Sequence, residues 1–349
     1  MPEPRLVSIV IPNRNGATTL GRCLAAALAC DHPRFEVVVV DDASEDGSVE
    51  IARRFPVKLV RLPRHGGVSR ARNAGAEAAA GALLFFIDAD CLLRPDALAV
   101  ADAAYGDRED LVLGGTYTTE PFDRDFFSRF QSVFVHHHET RLARPDYVAA
   151  HAMVVDAGLF RRSGGFVEGS FIGVAASVED VELSHRLRRA GCELAMEPRL
   201  LVQHVFRFSL RRSLANAVKK SRTWTRYALG ARGVLADSGT NSRALKANVA
   251  SLVLGSLLLA GAAAGGRLWP LAAAAGLVAL NLHAQRGLVR AWARAGGARF
   301  SAVATLYHLT LFAAAVALGA AAGTAQYLWS AATLRRVRPC TPRFDTRGL

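Results

Sequence analysis

The chain has 349 residues, enough for a catalytic domain with something beyond it. An apolar share of 51% excludes intrinsic disorder, and five scattered cysteines with no CxxC spacing exclude a disulfide scaffold or a cysteine zinc site. Charge is divided, with 22 basic and 28 acidic residues in 1–198 against 21 basic residues and two acids (Asp237, Asp345) in 199–349, so the net +13 belongs to the second part alone.

From residue 6 to Asp90, short apolar runs alternate with helical patterns. The runs are residues 6–11, 35–40, 57–62 and Leu83–Ile87, and residues 17–29, 48–55 and 68–80 between them carry apolar side chains at helical spacing. Runs that are apolar on both faces suit strands covered by helices on both sides, so the alternation predicts a mostly parallel sheet with right-handed crossovers. The opening Met-Pro-Glu-Pro-Arg and a strand-sized run do not make a secretory signal, and this part is expected to be cytoplasmic. Residues 91–200 read as mixed, with strands at 111–115 and 147–155 and helices at 123–138 and 178–190, the last ending at Gly191.

Beyond residue 200 the character changes. Residues 206–229 form one helical pattern, with Phe206, Leu210, Leu214, Ala217, Val218 and Ser221 down one side and six Arg or Lys on the rest, as expected of a helix lying in a membrane interface. Residues 247–266, 268–285 and 301–332 are uncharged stretches, the first long enough to cross hydrocarbon as a helix. Arg286, Arg290, Arg294 and Arg299 read as a cytoplasmic loop that returns the first two spans to the cytosol. The third stretch suits one span by length, but five arginines between 335 and 347 ask for a cytosolic tail. The expected organisation is a catalytic domain over 1–204, a basic amphipathic segment over 205–244, a transmembrane region of about three or four spans over 245–334 and a basic tail over 335–349.

Ligands of parallel sheets bind at the carboxyl ends of strands, and all four predicted ends are polar: Asn13 and Arg14, Asp41 and Asp42, Arg64 and His65, Asp88 and Asp90. Asp88-Ala-Asp90 follows a buried run and can hold a hard divalent cation, Mg2+ or Mn2+, against a diphosphate. A second copy, Asp123-Arg-Asp125, has no strand before it. Asp41 or Asp42 can accept a hydrogen bond from a base N–H, while Ser44 and Asp46 read as turn and capping residues. Gly66 and Gly67 with Arg70 and Arg72 at a helix start suit an anion, without the Lys-Ser/Thr pair of a phosphate loop. Glu179 and Asp180 open a helix, where they either serve its dipole or deprotonate an acceptor hydroxyl. His204, after an apolar run, is either structural or a further metal ligand.

In this order the motifs resemble family 2 glycosyltransferases of the GT-A fold over about residues 5–230. The resemblance rests on Val7-Ser-Ile-Val-Ile-Pro12-Asn13, Val38-Val-Val-Asp41-Asp42-Ala-Ser44-Glu-Asp46-Gly47, Ala71-Arg72-Asn73-Ala-Gly75, Phe86-Ile-Asp88-Ala-Asp90 and Glu179-Asp180 with Leu183 and Arg186-Leu187. It implies a Rossmann-like α/β domain, a nucleoside-diphosphate sugar donor and a divalent metal. It implies donor binding by Pro12, Asn13, Asp41, Asp42, Arg72 and Asp88, and metal binding by Asp90, Asp88 and His204. Asp180, with Glu179 beside it, would draw the acceptor proton as the phosphate leaves, inverting the anomeric carbon. Gln203-His-Val-Phe-Arg207-Phe208 departs from the Gln-x-x-Arg-Trp motif of processive synthases, which favours transfer of one sugar.

The reading is an inner-membrane or plasma-membrane, multi-pass transferase with a cytoplasmic catalytic domain and a lipid, polyprenyl-linked or cell-envelope glycan acceptor. A non-catalytic, nucleotide-binding membrane scaffold is the alternative, and the intact carboxylates argue against it. Nucleic-acid binding, suggested by the basic charge, is set aside because that charge adjoins apolar spans instead of lining a groove with stacking aromatics.

Overall fold

The computed structural model describes residues 4–169, 178–230 and 237–333. In chain order the elements are β1 (Val7–Asn13), α1 (Leu20–Leu28), β2 (Phe35–Asp41), α2 (Ser48–Ala52), β3 (Lys58–Arg61), α3 (Val68–Ala78), β4 (Leu83–Ile87), β5 (Cys91–Leu93), α4 (Ala97–Tyr105), β6 (Leu111–Tyr117), α5 (Phe126–Thr140), β7 (Ala152–Asp156), α6 (Ala157–Arg162), α7 (Glu179–Arg189) and β8 (Glu193–His204). They continue with α8 (Leu210–Gly230), α9 (Arg243–Gly265), α10 (Trp269–Ala284), α11 (Arg286–Tyr307), a π-helical turn (His308–Phe312) and α12 (Ala313–Thr333). Two compact units result. One holds the sheet, and the other holds Arg124–His138 together with the helices after residue 206.

The eight strands form one sheet in the order β3-β2-β1-β4-β7-β6-β8-β5. The four strands predicted from the alternation are parallel neighbours, β1 between β2 and β4, with β3 outside β2. Every residue of β1 and β4 is buried, as strands covered on both faces require. Helix α3 approaches β1 and β2 closely: a Cβ on Gly75 would lie 2.4 Å from Val10 Cγ1 and 3.1 Å from Val40 Cγ2. Behind the sheet, Val10, Val40, Phe86, Met153, Phe160, Phe166 and Leu183 belong to one apolar core.

The second half of the sheet corrects the mostly parallel expectation, because the sheet is mixed. β7 runs antiparallel to both β4 and β6, and β5 runs antiparallel to β8. The cause is the connection: the chain leaves the sheet after β6 through α5 and re-enters β7 at the same edge. A parallel neighbour would need a crossover to the opposite edge.

In the helical unit α9 and α10 form a hairpin, with Ser242 capping α9 through the Leu245 N–H at 3.0 Å and Gly266 left-handed at its end. Residues 286–299 are helical where a loop was expected. Leu288 and Trp292 are buried one turn apart on α11, the four arginines point outward, and Gly297 kinks the helix. Trp292 stacks on Phe130 of α5 at 5.1 Å, and Tyr307 and Phe312 meet the same ring at 4.9 and 5.3 Å. Among the described residues, two helical runs, Arg243–Gly265 and Arg286–Ser330, are long and apolar enough to cross a membrane, and Trp269–Ala284 is a shorter apolar helix. The basic tail lies outside the described residues.

Candidate functional site

The parallel strands end at one edge, which collects the polar residues that follow them. Asn13 and Asp41 are register partners, and both are buried. Asn13 Nδ2 donates to Asp41 Oδ1 at 3.4 Å and to Ser44 Oγ at 3.3 Å, while Ser44 N–H donates to Asp41 Oδ2 at 3.2 Å. Pro12, buried just before, pairs in register with Val40. Asp42 accepts from Gly66 N–H on Oδ1 at 2.7 Å and from Gly67 N–H on Oδ2 at 2.9 Å, and His65 Nδ1 sits 2.7 Å from Oδ2. Both aspartates therefore have hydrogen bonds to their carboxylate oxygens from within the protein, and their visible work is to fix the loops at 13–15, 43–46 and 65–67. Asp125 of the second Asp-x-Asp accepts from Ser128 N–H at 2.9 Å and caps α5, so it plays no part here.

Arg72, on the second turn of α3, is the centre of the site. Its guanidinium donates to Asp88 Oδ1 at 2.7 Å and to Glu179 Oε1 at 2.6 Å, and it lies over the Phe166 ring at 5.4 Å. Burial works against its charge, but the charges of Asp88, Glu179 and Asp180 outweigh this and hold its pKa above the usual range. Burial likewise opposes the Asp88 carboxylate, and Arg72 foremost, with His151 and His204, holds it below the usual range. Arg72 Nε and Glu179 Oε2 are buried without a partner among the described residues.

Asp180 neighbours this bridge at the start of α7. Ala150 N–H donates to its Oδ2 at 3.2 Å and its own helix's Val181 N–H to its Oδ1 at 2.9 Å. Burial and then the Glu179 charge push its carboxyl up to about 6, against the opposing pull of Arg72 and the two amides. A carboxylate titrating there is matched to proton abstraction near neutral pH. The adjoining motif residues act on position: Asn73 bonds Phe166 N–H at 2.9 Å and Phe166 C=O at 2.8 Å, while Arg186 bonds the carbonyls of Ser163 and Gly165. Together they hold the 163–168 loop against α3 and α7.

On the other side, β5 pairs with β8 so that Cys91 faces His204, and Val205 N–H donates to Asp90 C=O at 2.9 Å. His204 Nε2 is 3.5 Å from Asp90 Oδ1, and the Asp90, Cys91 and His204 ligand atoms lie within 4.8 Å of one another. Burial raises the Cys91 thiol far above its ordinary pKa, so it stays protonated and leaves an oxygen and an imidazole nitrogen as the donor pair. Those donors fit Mn2+ or Mg2+ better than a thiolate-seeking metal.

His151, Tyr117 and Glu139 escaped the sequence reading. The Tyr117 ring stacks on His151 at 4.2 Å and meets His204 edge-on at 4.9 Å. His151 Nε2 lies 3.3 Å from Glu139 Oε2, which also accepts from Thr116 Oγ1 at 2.7 Å. The only sequence signal was a polar residue directly before an apolar run that enters the sheet backwards.

Residues 8–164 match the family described as Glycosyl transferase family 2. Glycosyltransferase AglE of Haloferax volcanii is 40% identical over 92 residues, which cover 24% of this chain and 30% of that protein. The Pre-mycofactocin glycosyltransferase of Mycobacterium tuberculosis is 27% identical over 223 residues, covering 60% of this chain and 45% of that one. The chain thus spans less than half the length of these curated relatives. Among solved structures, Mannosyltransferase PcManGT from Pyrobaculum calidifontis, in complex with GDP-Man and Mn2+, superposes with a TM-score of 0.56 at 19% identity, covering 94% of this chain and 88% of that one, and it shares the GT-A-like fold. The family match covers less than half of this chain, and both relatives are named as glycosyltransferases.

Proposed function

We propose that this chain is a membrane-bound, inverting family 2 glycosyltransferase that moves one sugar from a nucleoside-diphosphate sugar to an acceptor presented at the membrane. The observation that carries the reading is the Asp88–Arg72–Glu179 bridge, which ties the strand-end carboxylate motif to the helix that bears Asp180. A donor held at Asp88 and an acceptor held at Asp180 would then meet across one guanidinium. The Mn2+ and GDP-Man of the mannosyltransferase above support a metal and a sugar nucleotide here too.

In this reading Asp90 and His204 hold Mn2+ or Mg2+, and Asp88, with one oxygen on Arg72, completes the donor side. When bound, the ion would neutralise charge on the diphosphate leaving group. Asp41 and Asp42 shape the nucleoside end by fixing the loops around Asn13 and Gly66. Asp180 takes the proton of the acceptor hydroxyl as the new glycosidic bond forms and the bond to phosphate breaks. Glu179, locked on Arg72, keeps α7 in register with the donor, and the loop held by Asn73 and Arg186 bounds the acceptor side. The catalytic domain works on the cytoplasmic face, and the acceptor is a lipid, a polyprenyl-linked intermediate or a cell-envelope glycan.

The test is a calorimetric screen of nucleoside-diphosphate sugars against purified protein with and without Mn2+. Binding of at least one donor that strengthens with metal supports the reading, and a flat response to the whole panel overturns it.

A further inference from the structure

Helix α8 does not stand alone: it is clamped along α12. Gly319 and Gly323 lie one turn apart on α12, and a Cβ on Gly319 would fall 2.5 Å from Val218 C=O and 2.9 Å from Ser221 Cβ. On Gly323 it would fall 2.5 Å from Arg222 C=O and 3.1 Å from Thr225 Cβ. Ser221 Oγ donates to Val316 C=O at 2.8 Å, and Tyr307 OH donates to Ser213 Oγ at 2.9 Å. The contacts advance together along both chains, so the helices run parallel with their backbones nearly touching, the close approach that small residues one turn apart permit.

The two partners have opposite chemistry. α8 carries Arg211, Arg212, Lys219, Lys220, Arg222 and Arg226 with no acid, whereas α12 has no charged residue and exposes Leu318, Leu328 and Trp329. A helix fastened to six cations cannot cross hydrocarbon without taking them along, and intramembrane cations are costly unless they are paired. An apolar helix and a basic helix side by side suit the boundary between acyl chains and anionic headgroups.

The α9–α10 hairpin differs. Its only charge between residues 247 and 285 is Arg267 at the tip, and Leu257, Leu268, Trp269 and Leu280 are each more than 60% exposed. Its base is closed by polar contacts: Asn281 Nδ2 donates to Asn248 Oδ1 at 2.7 Å, Gln285 Nε2 to Ala244 C=O at 2.8 Å, and Asn248 Nδ2 to His308 C=O at 2.9 Å. That last bond sets the hairpin base level with the turn from which α12 departs.

From this packing we infer that α8 and α12 form one platform on an anionic lipid surface and that only the α9–α10 hairpin enters hydrocarbon. The inference rests on the membrane reading above. The chain then crosses out and back, so the charges of α8, of α11 and of the tail sequence are all expected on the cytoplasmic face. This removes the conflict between the length of the third apolar stretch and the charge of the tail.

The experiment uses the full chain with an epitope after Leu349 in sealed membrane vesicles of both orientations, washed with carbonate. The inference expects the chain to stay in the membrane and the epitope to be cleaved by added protease only where the sheet unit is cleaved too. Cleavage of the epitope from the face opposite the sheet unit overturns the platform while leaving the membrane reading intact. Release by carbonate overturns both. A second arm, Gly319→Ile with Gly323→Ile, should raise tryptic cutting within α8 severalfold, and unchanged cutting in a folded variant also overturns it.

Discussion

The sheet unit and the helical unit handle charge in opposite ways. Among the described residues, the buried aspartate, glutamate and arginine side chains all lie in the sheet unit: Asp41, Asp42, Arg72, Glu139 and Arg186. Each has a hydrogen-bonded or ion-paired neighbour there, at distances of 3.4 Å or less. In the helical unit the buried polar residues include Asn248, Asn281, Gln285 and Ser301, and none of its described arginines or lysines is fully buried. Burying a charge costs desolvation that only good partners offset. The sheet unit accepts that cost at strand ends, where the proposed reaction would need fixed charges.

The comparison breaks most visibly at Asp180. Asp180→Asn should lower transfer by about 10³-fold, within the range for loss of a general base, while donor affinity measured by calorimetry stays near that of the parent. In the parent, the base must be ionised to act. With its carboxyl raised to about 6, kcat/KM should fall as pH drops through that value, and a flat profile between pH 5 and 7 would remove Asp180 from the role.

Next in size is the central cation. Arg72→Gln leaves Glu179 nearly buried and Asp88 partly so without their counter-charge, and urea unfolding should show a loss of about 3 kcal/mol. A loss under about 1 kcal/mol would mean that the bridge is no more than a surface pair. Smaller again, Asp90→Ala should weaken Mn2+ binding by at least about tenfold, read by titration calorimetry, with the melting temperature little changed because that side chain is only half-buried. The smallest effect belongs to the helical unit: Asn281→Ala removes one neutral hydrogen bond and should cost about 1 kcal/mol in thermal unfolding in detergent.

Much of this was legible in the residues, and the misses have physical causes. β1 to β4 and the helices between them follow from periodicity, because a strand buried on both faces has to be apolar throughout. β7 was placed within a few residues, but its direction was not, since direction depends on where α5 releases the chain and no local pattern encodes that. The arginines of α11 suggested a loop, although Leu288 and Trp292 already carried the helical spacing; charge density masked the narrow apolar stripe. Asp41 and Asp42 stood out as strand-end acids, yet a carboxylate looks the same in sequence whether it meets a ligand or the Gly66 and Gly67 amides. His151 gave almost no signal, because its place beside Asp88 depends on an antiparallel register.

By itself the sequence determined the strands and helices between residue 6 and Asp90, the apolar stretches after residue 246, where the acidic motifs fall at strand ends, and that one half is acidic and the other basic. Those are local properties of spacing and composition. Only the tertiary structure decided what each charge and each glycine meets: Arg72 reaches Glu179 across 107 positions, and Gly319 and Gly323 admit the backbone of α8. Such pairings depend on how distant segments are brought together, and the residues at either end carry no separate record of their partner.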